Sequence, residues 1–431
     1  MRNFCLALLA ALGLTSASFA QEPRVATVIH AGRLLADPAT GRIETERSIL
    51  VGADGNILRI EAGYINPDGA RVVDLTNRFV LPGLIDSHVH ITGELGPDQL
   101  LDEVQLTASD SAVRGAGFAR ITLMAGFTTI ADLGAHNDAI FALRRGIAEG
   151  RIPGPRIIAS GFAITPDGGH ADANGFAPDI VDALRNPNAC SGADACRRAT
   201  RRQIQAGADI IKITATGGVL SNTAAGVGQQ FSDEELAAIV EAAHAMGRRV
   251  TAHAHGVDGL NAALRAGVDS IEHGSYLDTE SIRLLRQGNR YLVPTLMAGW
   301  WVGQLAEQGG VLTPAQADKA RRVGPELVGM ARRARAAGVR IAFGTDTGVS
   351  AHGQNAREFQ LLVEAGYTPL EAIQFATVAA ADHLQLNTVA GRVAPGFSAD
   401  IIAVSGDPLA DVSILMNVPF VMARGVVQKA E

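Results

Sequence analysis

From residue 83 onward, short runs of apolar and β-branched residues alternate with longer stretches of amphipathic, helical periodicity. One of these longer stretches has clear helix boundaries, because Ser232 and Glu235 match a capping box and Gly247 follows as a C-terminal stop. Continuous apolar runs separated by helices predict a parallel sheet that is covered on both faces. The eight predicted strands cover 83–90, 126–134, 155–165, 208–218, 248–256, 269–275, 291–297 and 339–348.

The number and order of these strands predict an α/β fold, a (β/α)8 TIM barrel, for residues 83–388. An open, doubly wound sheet is the alternative. Such a sheet usually carries a glycine-rich phosphate loop after its first strand. Here two histidines, His88 and His90, stand at that place, and residues i and i+2 of a strand project to the same face. The barrel is therefore favoured.

The two ends of the chain follow a different pattern. Residues 22–82 and 389–431 contain short alternating runs separated by turn residues, which is typical of half-buried strands. We expect these two segments to form one small β-sandwich domain that is assembled from both chain ends.

Residues 1–20 predict a secretory signal peptide, with a single arginine, a short apolar run and small residues before Gln21. The run is too short to span a bilayer, and a membrane anchor or a frayed first helix is the alternative. We therefore expect an exported protein, periplasmic or secreted. In such a protein a local disulfide between Cys190 and Cys196 is favoured over two free thiols. No later stretch predicts a membrane span.

Composition and charge argue against one class of partner. The 431 residues carry a formal net charge of −7, and no long basic run is present. Binding to nucleic acid is therefore not expected. We expect the partner to be a small molecule instead.

Polar residues are concentrated where the predicted barrel strands end, and the active site of a TIM barrel lies at the C-terminal ends of its strands. A single buried histidine is usually structural. Burying a whole set of polar groups at one barrel mouth without a shared partner would cost several kcal/mol. A metal centre removes that cost, and imidazole and carboxylate ligands suit zinc. The residues concerned are His88, His90, Lys212, His253, His255, His273 and Asp346.

Lys212 is the unusual member of this set, because an ammonium group repels a metal cation. To act as a ligand it must lose its charge or react with carbon dioxide. The resulting carbamate is a carboxylate on a long stem and is able to bridge two metals. Two metals close together activate one shared water as a nucleophile.

The segments LPGLIDSHVH, TAHAHG, IEHGS and FGTDTG, together with the lysine of strand four, resemble the amidohydrolase superfamily of metal-dependent hydrolases. The resemblance covers nearly the whole chain after the signal peptide, and it implies two zinc ions per subunit. It favours His253 over His255 as a ligand, which leaves His255 free to contact substrate. The ligands that it implies are His88, His90, Lys212 as N6-carboxylysine, His253, His273 and Asp346.

Within the superfamily the chain is similar to the Xaa-Pro dipeptidase and carboxypeptidase-like branch, and to bacterial members that degrade ochratoxin A. The resemblance implies hydrolysis of the amide bond to a C-terminal amino acid in N-acyl amino acids or dipeptides, including ochratoxin A to ochratoxin α and L-phenylalanine. Asp346 would carry the proton to the leaving amine, and His255 would help to polarise the carbonyl. His170, in the loop after strand three, would contact substrate; the alternative is a histidine that caps a turn.

Other functions stay open on the same fold. They are a Xaa-Pro dipeptidase and a cyclic-amide hydrolase similar to imidazolonepropionase, although enzymes of the second kind usually lack the lysine and hold one metal. A non-catalytic barrel is disfavoured because no implied ligand is missing. Trp300 and Trp301, the only tryptophans, could contact an aromatic substrate group, but we favour packing against a helix or a partner subunit. The resemblance also implies a homo-oligomer.

Overall fold

The computed structural model describes residues 24–222 and 225–431. The predicted signal peptide at residues 1–20 lies outside the described residues. Within the described part of the chain, no helix is both long and apolar enough to cross a membrane.

Strands from both chain ends form one mixed sheet of seven strands, in the order β17-β16-β15-β4-β1-β2-β3. The predicted assembly from both ends is confirmed, and its strands are hydrogen-bonded in one continuous sheet. The two parts meet where Ala403 pairs with Val80 in antiparallel register. The strands are β1 (Val25–Leu34), β2 (Glu44–Gly52), β3 (Ile57–Ala62), β4 (Arg71–Pro82), β15 (Ile401–Val404), β16 (Phe420–Ala423) and β17 (Val426–Ala430).

Eight parallel strands form the barrel, as the sequence predicts. They pair as two sheets, β5-β6-β7 and β10 to β14. A parallel bridge between Ile164 and Ile213 joins the sheets on one side, and a bridge between Val89 and Thr347 closes the barrel on the other. The barrel strands are β5 (Leu84–Val89), β6 (Phe127–Asp132), β7 (Arg156–Ala159), β10 (Ile211–Thr214), β11 (Val250–Ala254), β12 (Ser270–His273), β13 (Tyr291–Val293) and β14 (Arg340–Ile341).

Helices follow the barrel strands. The helix with the predicted boundaries begins after Ser232, whose side chain and that of Glu235 form the capping box, and it ends before Gly247 at φ 69°. The helices are α1 (Gln99–Gln105), α2 (Ala108–Met124), α3 (Asn137–Ala148), α4 (Pro178–Leu184), α5 (Ala193–Ala206), α6 (Asp233–Ala245), α7 (Val257–Ala266), α8 (Thr279–Gln287), α9 (Leu296–Gln308), α10 (Pro314–Ala336), α11 (Arg357–Glu364), α12 (Pro369–Gln374) and α13 (Ala380–His383), with a π-helical turn at Phe375–Ala379 and a 3-10 helix at Val412–Met416.

The long connection after β7 carries a short parallel pair, β8 (Thr165–Pro166) and β9 (Ala189–Cys190). The predicted disulfide between Cys190 and Cys196 is present and ties β9 to the first turn of α5. This connection carries His170, so the disulfide anchors one end of a segment that reaches the barrel mouth.

Candidate active site

The candidate residues from five barrel strands line one cavity of about 540 Å³ at the barrel mouth. His88 lies in β5, Lys212 in β10 and His253 in β11, while His273 is the last residue of β12. The others follow a strand end by a few residues. All seven predicted polar residues of the barrel mouth line this cavity: His88, His90, Lys212, His253, His255, His273 and Asp346.

One cluster of potential metal ligands consists of His88, His90 and Asp346. The Nε2 atoms of the two histidines lie 3.3 and 3.2 Å from Oδ1 of Asp346. That oxygen is buried and makes no hydrogen bond of acceptable geometry. Three ligand atoms that converge without bonding to one another fit a shared cation better than they fit a hydrogen-bond network.

A second cluster consists of His253, His255 and His273, whose potential ligand atoms lie within 4.8 Å of one another. Nζ of Lys212 lies 3.3 Å from Nε2 of His88. Lys212 also lines the same cavity as His253 and His273. It therefore shares one cavity with both clusters, as a bridging ligand would have to.

The histidines of the site are oriented through their second ring nitrogen. Nδ1 of His88 lies 2.8 Å from Oε2 of Glu272, and Nδ1 of His90 lies 2.9 Å from the carbonyl of Gly134. Such contacts fix the tautomer and leave Nε2 facing the cavity. Hydroxyl groups hold two other rings in place: Thr295 contacts Nδ1 of His273 and Ser275 contacts Nδ1 of His255, each at 2.7 Å.

His253 is oriented the other way round. Its Nε2 lies 3.4 Å from the carbonyl of Gly217, which leaves Nδ1 for a metal. Its ring is 4.7 Å from that of His255 and 4.6 Å from that of His273. The geometry thus brings both His253 and His255 to the second cluster, and the choice of His253 as ligand remains a prediction.

Burial sets the protonation states of the site. It lowers the pKa of His88, His253 and His273 well below the usual value, so these rings are neutral and able to bind a cation. Burial also lowers the pKa of Lys212, against the opposing charges of nearby carboxylates. An uncharged amine is the form that reacts with carbon dioxide, so this environment favours the predicted carbamate.

The pKa of Asp346 is lowered, because the neighbouring His88 and His90 outweigh the effect of burial, which would raise it. Burial would lower the pKa of His90, but the nearby carboxylate of Asp346 raises it. Asp346 is therefore ionised and able to bind a cation or accept a proton.

Two of the residues at this site have left-handed backbone conformations. His273 has φ 68° and Asp346 has φ 60°. Thr295, which contacts His273, has φ 47°. Non-glycine residues in this region are strained by about 1–3 kcal/mol each, and such strain is concentrated at functional sites. Here it turns the side chains at two strand ends toward the cavity.

His170 reaches the site from the connection after β7. Its ring lies 4.3 Å from that of His253, and its Nδ1 is 2.6 Å from Oγ of Ser221. Gly218 makes room for it, because a Cβ there would lie 2.2 Å from the ring. His170 lines the cavity beside the second cluster, a position that permits the predicted contact with substrate.

The sequence analysis did not identify several residues that shape the site. Glu272 supports His88, and Asp86 accepts hydrogen bonds from Thr345 and Asn355 beneath the strand ends. Burial raises the pKa of Asp86 to about 7. A carboxylate within an otherwise apolar strand was the available signal for both. His136, another cavity residue, lies in a loop that carried no signal.

Trp300 and Trp301 lie in α9, and neither is among the described residues that line the cavity. Trp301 packs against the main hydrophobic core. Packing against the protein, which the sequence analysis favoured, is therefore confirmed for Trp301.

The donor set fits the metals that the resemblance implies. Imidazole nitrogens and a carboxylate suit zinc, and the unbonded Oδ1 of Asp346 is an oxygen that a cation would satisfy. The first cluster would hold one ion and the second cluster another, with a modified Lys212 as a ligand shared by both.

Comparison with known proteins gives consistent matches. The sequence profile of the Amidohydrolase family matches residues 79–427. Ochratoxinase from Aspergillus niger is 32% identical over 415 residues, which cover 91% of this chain and 83% of that protein. A solved Xaa-Pro dipeptidase with methionine bound in its active site is 38% identical, with a TM-score of 0.88 over 93% of this chain and 99% of that one. The crystal structure of A. niger ochratoxinase has a TM-score of 0.82 at 30% identity, over 95% of this chain and 97% of that one.

Proposed function

Because the chain belongs to the amidohydrolase family of metal-dependent hydrolases that act on carbon–nitrogen bonds, we propose that it is an amide hydrolase of a defined type. The bond that it cleaves is the amide bond to a C-terminal amino acid in N-acyl amino acids or dipeptides. The observation that carries the proposal is the pair of ligand clusters that line one cavity together with Lys212, whose Nζ lies 3.3 Å from Nε2 of His88. A structural role would not leave so many ligand atoms turned toward open space.

The proposed cofactor is a pair of zinc ions. His88, His90 and Asp346 would hold one ion, and His253 and His273 the other, with carboxylated Lys212 as the bridge. When bound, the ions supply Lewis acidity, which polarises a carbonyl and lowers the pKa of a water molecule.

The chain's own residues would carry the proton and position the substrate. The ionised carboxylate of Asp346 would accept a proton from the attacking water and deliver it to the nitrogen of the leaving amine. Ser275 holds Nδ1 of His255, so Nε2 of His255 faces the cavity and could donate to the carbonyl oxygen. His170, whose ring lies 4.3 Å from that of His253, would contact the substrate beside the second cluster.

The proposed substrates include ochratoxin A, which would yield ochratoxin α and L-phenylalanine. Two observations support this choice: the similarity to an ochratoxinase over most of both chains, and a cavity of about 540 Å³, which lies within the range of sites for drug-sized ligands. A Xaa-Pro dipeptidase is the second candidate, because the similar solved dipeptidase is 38% identical over nearly its whole length.

We also propose that the protein is exported and assembles as a homo-oligomer. The disulfide supports export, since such bonds persist mainly in oxidising compartments. Cell fractionation with N-terminal sequencing of the mature protein tests the first proposal, and light scattering on the purified protein tests the second.

The main experiment measures amino acid release from ochratoxin A, a panel of N-acyl amino acids, Xaa-Pro dipeptides and a cyclic amide. Purified mature protein is assayed as isolated, after chelation and after zinc is restored. We expect release of L-phenylalanine that chelation abolishes and zinc restores. Release from dipeptides alone would favour the peptidase, and cleavage of the cyclic amide alone would overturn the proposal.

Two variants distinguish loss of the metal site from a general effect of substitution on the protein. Asp346→Asn should lose activity by orders of magnitude, because it removes both a charged ligand and the proton acceptor. His244→Asn changes a half-exposed histidine of α6 and should retain full activity.

The carbamate has its own test. Protein that is reconstituted with zinc and carbon-13 bicarbonate should show a carbamate carbon by nuclear magnetic resonance. Lys212→Arg should lack the signal, because its guanidinium stays protonated. A wild-type spectrum without the signal would contradict the modification but not the metal site.

A further inference from the structure

The cavity has two chemically different sides. Beyond the metal-site residues, its lining toward α1 and α2 contains charged and polar side chains, including Glu94, Asp102, Glu103 and Arg114. The other side is apolar and comes from four separate segments: the loop after β10, helices α9 and α10, and the loop after β14. We call it the apolar wall; it consists of Val219, Leu220, Val302, Val323, Leu327 and Val349.

Most of the apolar wall is separate from the barrel core, to which Leu327 alone of its six residues belongs. Val219, Val302 and Val323 belong to a separate hydrophobic cluster, and Leu220 and Val349 pack against it. Val302 and Val323 line the cavity although they are only 4% and 3% exposed. Folding thus keeps an apolar surface at the active-site cavity, where a substrate could cover it.

Helix α10 fixes the wall in place. Nζ of Lys319 donates to the carbonyls of Gly218 and Ser221 at 2.9 and 2.7 Å, and the side-chain amide of Gln316 donates to the carbonyl of Leu220 at 2.7 Å. Ser221 in turn contacts His170. The loop that carries Val219 and Leu220 is therefore held between α10 and the candidate substrate-binding histidine, and a preorganised wall loses less entropy on binding.

A close crossing of α9 and α10 shapes the same wall. A Cβ on Gly299 would lie 2.3 Å from Cδ1 of Leu327, and a Cβ on Gly324 would lie 3.0 Å from the carbonyl of Gly299. The two glycines let the helices approach, so that Leu327 and Val302 face the cavity together. The wall is thus built from rigid elements, which is the arrangement of a specificity pocket.

We propose that the apolar wall is the subsite for a bulky apolar side chain of the substrate. The inference rests on the proposed amide hydrolysis and narrows it: the enzyme favours amides in which one residue carries an aromatic or branched aliphatic group over those with glycine at that place. The polar side toward α1 and α2 then faces the other half of the substrate.

The test measures the ratio of kcat/KM for the two substrates of a pair. This ratio does not depend on the fraction of the variant protein that is folded. Two substrate pairs place the bulky group on different sides of the amide: N-acetyl-phenylalanine against N-acetyl-glycine, and phenylacetyl-glycine against acetyl-glycine. Val302→Thr and Val323→Thr keep the side-chain shape but add a hydroxyl to the wall. We expect the ratio of one pair to fall about tenfold, because a hydroxyl group in an apolar subsite lowers its affinity for an apolar side chain.

Val113→Thr, the same change at a residue that is 75% exposed in α2, is the matched control and should leave both ratios unchanged. Val302→Ala adds no polar group and should lower the same ratio by a smaller factor. Unchanged ratios for both pairs in a protein that cleaves them would overturn the subsite but not the proposed function. If the wild type released no amino acid from these pairs, from the dipeptides or from ochratoxin A, both proposals would be wrong.

Discussion

The carboxylate of Glu272 lies 2.8 Å from Nδ1 of His88, and the two residues are 0% and 1% exposed. Thr251 and Ser270 also contact Glu272. The acid therefore has enough partners to tolerate burial, and it holds the His88 ring with Nε2 toward the first ligand cluster. Carboxylates in this position raise the basicity of a ligating imidazole.

Glu272→Gln should weaken metal binding by about tenfold to a hundredfold, since the neutral amide keeps the shape but removes the charge behind His88. Competition with a chelator of known affinity measures the change. Glu280→Gln alters a half-exposed glutamate that pairs with Arg283 of the same helix, and it serves as the control. Equal metal affinity in both variants would show that Glu272 does not support the ligand.

Gly218→Ala should reduce kcat/KM while metal content is retained. The added Cβ would meet the His170 ring at 2.2 Å and displace it from the cavity. Activity assays with metal analysis on the same samples measure both quantities. Gly303→Ala is the control, because among the described residues no heavy atom beyond its own helical turn lies within 4 Å of its Cβ position, and alanine favours a helix by roughly 0.5–1 kcal/mol. A fully active Gly218→Ala enzyme would argue against a role for His170.

The double variant Cys190→Ser, Cys196→Ser should be less stable than the wild type by about 2 kcal/mol, given the short loop that the bond closes. Thermal unfolding in the absence of reductant detects the loss. We also expect reductant to lower the unfolding temperature of the wild type but not that of the variant. If the two proteins unfolded at the same temperature without reductant, the bond would be absent in solution or without effect.

The stability of the protein should depend on the protonation of Glu358. This carboxyl group of α11 accepts hydrogen bonds from the backbone amides of Leu296 and Met297. Burial raises its pKa from 4.5 to about 8. Between these values the unfolded chain loses the proton first, so the stability that comes from the protonated form falls as pH rises.

Glu358→Gln cannot ionise, so the unfolding temperature of the wild type relative to this variant should fall as pH rises from about 5 to 8. Glu364→Gln, which removes an exposed carboxylate of the same helix, is the matched control. A constant difference between wild type and Glu358→Gln would mean that burial does not raise the pKa of Glu358 in the folded protein.

Local periodicity was sufficient to predict the barrel and the terminal sheet, because each strand and helix carries its own pattern of burial. The predicted positions of the strand ends were less accurate. The predicted strand 291–297 ends at Val293, since Pro294 lacks an amide donor and α9 begins at Leu296. A short apolar run alone does not distinguish the end of a strand from the first turn of a buried helix.

The site was predictable where its residues lie at strand ends, as His88 and His273 do. Glu272 was missed because its function depends on a partner across the barrel, which no local pattern encodes. The apolar wall was missed for a similar reason: Val302 and Val323 belong to ordinary amphipathic helices, and only the crossing of α9 and α10 turns them toward the cavity.

The pairing of β4 with β15 has a consequence for synthesis. The ribosome makes β1 to β4 early, but the edge of β4 has no partner until β15 follows after the whole barrel. During that interval a long strand with unpaired backbone groups is open to other nascent chains. Chaperones that shield this edge would therefore affect the yield of the protein more than its activity.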